Sequence, residues 1–242
     1  MADYDVNYSS TPQTGERAGY NMGLRKHMLN VYNYMASGVL LTGIVALVFA
    51  KWMMSNPEVA QTLFMSPLKW VLMLAPLAFV MVMSFGVNKM SAPTLKMVFF
   101  AYSAVMGMSI SWIFMVFTSA SIAQTFFVTA AAFGALSLYG YTTKKDLSGM
   151  GTFLIMGLFG IIIASIVNIF LGSGMLQFVI SAAGVLIFAG LTAYDTQRIK
   201  HEYSVLAGTG MLGKAAVMSA LSLYLDFINM FMFLLQFLGN RE

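Results

Sequence analysis

Few residues in this chain are placed to do chemistry, and Asp226 is the clearest. It stands near the middle of an apolar run at 215–238, about 16 Å along a helix axis from Ala215. A carboxylate at that depth opposes membrane insertion by about 3 kcal/mol. The fifteen Leu, Ile, Val, Met and Phe residues of the same run can still carry it in. Packing does not call for the charge, and an ionisable group inside a span is a functional candidate by default. Ser219, Ser222, Asp226, Asn229 and Gln236 follow one another at spacings of 3, 4, 3 and 7, which puts them on one helix face. Phe233 interrupts that row. Such a stripe must look into the protein or a wet cavity. Read as structure alone, it is an interhelical hydrogen-bond seam.

Asp195 is the second candidate, within Ala193-Tyr194-Asp195-Thr196-Gln197 at the inner end of the preceding apolar run. Arg198 follows at i+3, so a plain helix-end ion pair accounts for it equally well. If the two runs are antiparallel neighbours, their carboxylates share one interface and titrate as a pair. Such a pair would be a pH-sensitive latch on a closed/open equilibrium. With ideal helices, Asp226 lies deeper than Asp195 by about 10 Å. Contact therefore requires the sixth run to extend inward, or one helix to tilt or shift.

Other chemistries lack their residues. Cysteine is absent, which excludes disulfides, thiolate metal sites and Cys nucleophiles. His27 and His201 both lie outside the apolar runs, which argues against a buried His metal site and a rhomboid-type Ser/His protease. No span carries a Schiff-base Lys at its centre, and no Gly-rich phosphate loop with Lys is present. The chain is expected not to be an enzyme.

The elements that hold these residues follow from composition. Apolar residues make up 59% of the 242 and charged residues 9%, too few charges for a surface that faces water. Apolar runs fall at 31–50, 68–87, 97–117, 123–142, 152–171, 176–194 and 215–238, each long enough to cross a bilayer as a helix. The inner end of the sixth is the least defined and could continue through Arg198 toward Tyr203. Residues 1–23 read as a flexible cytoplasmic tail without a cleavable signal, and 24–242 as one seven-span domain. Ten of the thirteen basic residues fall in the tail or the loops after spans two, four and six, which places the amino terminus in the cytoplasm. Their single, scattered placement argues for membrane orientation and against nucleic acid. An odd number of spans puts the far end outside, unless the seventh only dips in and returns. Small residues at Ser103, Gly107 and Ser111, and at Gly160 and Ala164, suit close helix packing.

Four stretches carry a family resemblance. They are Ser91-Ala92-Pro93-Thr94, the segment from Leu138-Tyr139-Gly140-Tyr141 through Asp146-Leu147-Ser148, Phe188-Ala189-Gly190-Leu191-Thr192-Ala193-Tyr194-Asp195-Thr196-Gln197, and Leu223-Tyr224-Leu225-Asp226-Phe227-Ile228-Asn229. With them the chain resembles the Bax inhibitor family of transmembrane proteins, in particular its bacterial members. The resemblance implies an all-α, seven-transmembrane-helix bundle with the last helix central, in the bacterial inner membrane. It also implies a pH-sensitive calcium leak gated by Asp195 and Asp226, with Lys89 as the loose match to a basic residue linked to that latch. Ca²⁺ would be a permeant ion held weakly by the two aspartates, with Ser222, Asn229 and water as auxiliaries, and no tightly bound cofactor. Two other readings remain open. One is a proton-coupled transporter using Asp226. The other is a non-transporting regulator of a membrane protease, since some bacterial relatives bind one.

Overall fold

A computed structural model describes residues 13–240, and the side chains of 19–240 except Phe64. The described elements are α1 (Gln13–Ser55), α2 (Pro57–Met65), α3 (Leu68–Gly86), α4 (Ala92–Ile110), α5 (Ile113–Val116), α6 (Ser119–Thr142), α7 (Ser148–Leu171), α8 (Gly174–Leu206) and α9 (Leu212–Leu238). Seven helices among them are long and apolar enough to cross a membrane. The chain is an all-α membrane protein.

Local chemistry sets the helix ends. Pro57 opens α2 as its first residue, where its missing N–H costs nothing. Ser91, Thr118 and Ser173 each accept the N–H three residues on, at 3.2–3.3 Å, and so cap α4, α6 and α8. Asp146 accepts both the N–H and the hydroxyl of Ser148 at the start of α7. These two hydrogen bonds hold its carboxyl below the usual carboxylate range. Gly172 ends α7 at φ 62°, a left-handed position that suits glycine.

Two helices outrun the expected spans. The chain is helical from Gln13, inside the stretch read as a tail, while residues 1–12 of that tail and Arg241 lie outside the described residues. The reason is periodic: Leu24, Met28, Val31, Met35 and Val39 are buried at helical spacing along α1. The polar residues between them continue the same helix beyond the apolar zone. His27 is buried on this face, its ring 5.4 Å from that of Tyr203. At the other end of the chain, α8 runs to Leu206, three turns past Asp195.

The bundle is built around α9. Two thirds of its most apolar window is buried, against 11% for α3 and α7. It packs on α1, α4, α6 and α8. Lipid offers no hydrophobic drive for this docking, so packing and interhelical hydrogen bonds must hold it. Thr42 of α1 lies 2.6 Å from the Tyr224 hydroxyl of α9 and 2.8 Å from the Ser103 carbonyl of α4. Ser103, Gly107 and Ser111 are buried as expected, and a Cβ at Gly107 would press on the Thr42 carbonyl at 2.6 Å. Gly160 differs. It faces open space, because α7 packs at the periphery against α8. Ile169 and Phe170 of the same helix are about four fifths exposed, as lipid-facing residues are.

The candidate carboxylate site

The site is the antiparallel seam between α8 and α9. Each step down one helix meets a step up the other. Ser219 donates to Glu202 at 3.1 Å, and Arg198 donates through Nη2 to Ser222 at 3.1 Å. Next along the seam stand Asp195 and Asp226, which line one cavity. Beyond them Phe188 stacks on Phe233 with ring centres 5.9 Å apart. Last, Gln177 donates to Gln236 at 2.6 Å. The polar stripe of α9 therefore faces α8 throughout, and Phe233 fills the gap in its row. The depth mismatch is resolved by the length of α8, which carries Asp195 well inside the bundle.

Arg198 brackets the site. Its Nη1 lies 3.1 Å from Asp195 Oδ1 and its Nε 3.4 Å from Glu202 Oε1, the latter an ion pair without hydrogen-bond geometry. Its guanidinium also sits 5.8 Å from the centre of the Tyr194 ring. The i,i+3 ion pair that explains Asp195 as structure is therefore present, yet it is one arm of a larger bracket. Two acids, Asp195 and Glu202, share this one cation. Asp226 makes no ion pair among the described residues, and its Oδ2 is buried without a hydrogen-bond partner. An uncompensated carboxylate in such surroundings costs several kcal/mol. The position therefore calls for a proton or a cation.

The cavity beside the pair holds about 530 Å³ and is walled by α7, α8 and α9. Ser222, Asn229 and Ser165 give it polar atoms, and Ile161, Leu191 and Phe233 are among its apolar lining. Asn229 spends its amide on the Leu225 carbonyl at 2.8 Å, which leaves its carbonyl oxygen free to face a guest. Lys89, the expected basic partner, is exposed in the α3–α4 turn and forms no ion pair among the described residues.

The residues around Asp195 each hold something in place. Gly140 lets α6 approach so closely that a Cβ there would collide with the Ala193 carbonyl. Tyr194 covers Gly151 of α7. Thr196 donates to Ser137 of α6 at 3.4 Å. Gln197 accepts from the Leu147 N–H at 2.8 Å and donates to the Lys145 carbonyl at 2.7 Å, which staples the α6–α7 loop to α8. The motif thus ties three helices to the carboxylate it contains.

This same pair of aspartate stretches lies within the region where the sequence matches the family described as inhibitor of apoptosis-promoting Bax1, residues 24–242. The chain belongs to the Bax inhibitor family. Relatives match over nearly the whole length. The inner membrane protein YbhL of Escherichia coli is 48% identical over 91% of this chain and 94% of its own. An uncharacterized protein of Rickettsia prowazekii is 42% identical over 98% and 99% of the two chains. One from Caulobacter vibrioides is 43% identical over both full lengths. In this Bax inhibitor family member, Glu202 and Arg198 belong with the aspartates. Sequence reasoning passed over Glu202, although its spacing of 4 from Arg198 and 7 from Asp195 puts all three on one helix face.

Proposed function

We propose that this protein is a pH-sensitive cation leak, with Ca²⁺ as its permeant ion, gated by Asp195 and Asp226. The observation that carries the reading is Asp226, one of whose oxygens is buried in the central helix without a partner, and which lines a cavity together with Asp195. Whatever neutralises that pair decides how α8 and α9 sit against each other. Protons would leave the pair neutral and the seam closed. Their loss would leave two like charges, with Arg198 already committed to Asp195 and Glu202, and the helices would part or take up a cation.

Calcium fits as cargo held in passing. It prefers six to eight oxygens, and the site offers two carboxylates, the Asn229 carbonyl and room for water. Weak binding favours release, which permeation needs. The reading includes no enzymatic step. The location proposed is the inner membrane, as the name of the Escherichia coli relative states for that protein. The charge bias of the loops would put the amino terminus in the cytoplasm.

The test is Ca²⁺ flux into liposomes holding the purified protein, followed across pH. Asp195→Asn and Asp226→Asn should each flatten the pH dependence. Unchanged profiles in both would remove the gate assignment. Uphill accumulation of a solute driven by an imposed pH gradient would replace the leak with a coupled transporter.

A further inference from the structure

A second cavity, of about 480 Å³, lies between α1 and α6, away from the carboxylate cavity. Leu29, Tyr32, Phe133 and Leu138 line its length, and Arg25 and Tyr141 mark one end. Leu29 and Leu138 are exposed, so the groove opens on the outer face of the bundle, where acyl chains lie. Cations collect at the Arg25 end. Lys200 donates to the Tyr141 carbonyl at 3.1 Å and packs 5.3 Å over its ring, while Lys144 and Lys145 stand in the exposed loop after α6 against a different cavity. Arg25 forms no ion pair with an acid among the described residues. Asp146, the acid of that loop, is occupied by Ser148.

An elongated apolar furrow with unpaired cations at one end suits a chain-bearing anion. We propose that it holds an anionic phospholipid, with the phosphate on Arg25 and Lys200 and one acyl chain along the α1–α6 furrow. A free phosphate has no use for the apolar length, and a headgroup without net charge leaves the cations uncompensated. The floor of the groove reaches the neighbours of the carboxylate pair. Phe133 meets Phe227 edge-on at 5.6 Å, beside Asp226 in sequence, and Ser137 accepts from Thr196, beside Asp195. A bound lipid thus props α6 against the seam from behind.

Native mass spectrometry of the purified full chain tests this with phosphatidylglycerol and phosphatidylethanolamine at equal concentrations. The wild type should retain phosphatidylglycerol at least about fivefold better, the value of one basic contact at a membrane surface. Arg25→Gln should erase about fivefold of that preference, lowering phosphatidylglycerol retention more than phosphatidylethanolamine retention. Gly134→Leu plugs the groove, and the fold accommodates it because a Cβ there meets nothing within 4 Å. It should lower retention of both lipids. Equal retention of the two lipids by the wild type would overturn the proposal, as would undiminished binding by the Gly134→Leu variant. A dimer that Gly134→Leu breaks would give the groove to a second copy and overturn it too.

Discussion

Arg198→Met is the sharpest perturbation of the gate. Methionine keeps the unbranched apolar stem and removes every contact of the guanidinium. Those contacts are the ion pairs to Asp195 and Glu202, the packing over the Tyr194 ring and the cross-helix hydrogen bond to Ser222. Only the last ties α8 to α9 directly. A hydrogen bond to a charged group is worth about 1.5–3 kcal/mol, and the Arg198 side chain is 35% exposed, so the low end applies. A loss of about 1.4 kcal/mol from the closed arrangement is tenfold in the closed/open ratio. Calcium flux at neutral pH should therefore rise about tenfold. The assay is the same liposome influx, with helix content checked by circular dichroism. Two companions locate the cause. Ser222→Ala should reproduce most of the rise if the cross-helix bond is what matters. Adding Asp195→Asn to Arg198→Met should suppress the rise if an uncovered carboxylate is what matters. A folded Arg198→Met variant whose flux stays within about twofold of wild type would refute the bracket.

Other expectations follow from the packing. Gly140→Val should overpack the α6–α8 crossing against the Ala193 carbonyl and cost about 1–3 kcal/mol, read as a lower midpoint of thermal unfolding in detergent. Thr42→Val and Tyr224→Phe should couple in a double-mutant cycle by about 0.6–1.7 kcal/mol, since their hydroxyls lie 2.6 Å apart. Additive effects there would mean that the bond does not hold α9. Asp146 has a folded value below its unfolded one. Its contribution is present above the unfolded value of about 3.9 and fades as pH falls through the folded value. Asp146→Asn should therefore leave the pH profile of flux unchanged between pH 5 and 8, while the α7 start frays by amide exchange.

Much of this was readable from residue order because span length and polar placement are local properties. The seven apolar runs survive as helices, and the row from Ser219 to Gln236 does face protein. What escaped was set by partners distant in sequence. Helix α1 starts early because its face with His27 packs on Tyr203 of α8, and no apolar run signals that. Gly160 carries the small-residue spacing of a packing face, yet α7 has no neighbour on that side. Spacing alone offers Arg198 as a helix-end partner to Asp195, whereas Ser222, 24 residues on, makes it part of the site. The exposed Lys89 carries the right charge, but the turn that bears it gives it no ion pair among the described residues.

The central position of α9 also has a consequence for biogenesis. Ribosomes deliver this helix after α1, α4, α6 and α8, the four it packs on, so those four must wait around an unfilled core. During that interval Thr42, Glu202 and Arg198 face a vacant core that only lipid or water can occupy. Entry of α9 is then a docking event that fills the core in one step, and a chain stalled before it would expose a polar-lined gap in the bilayer.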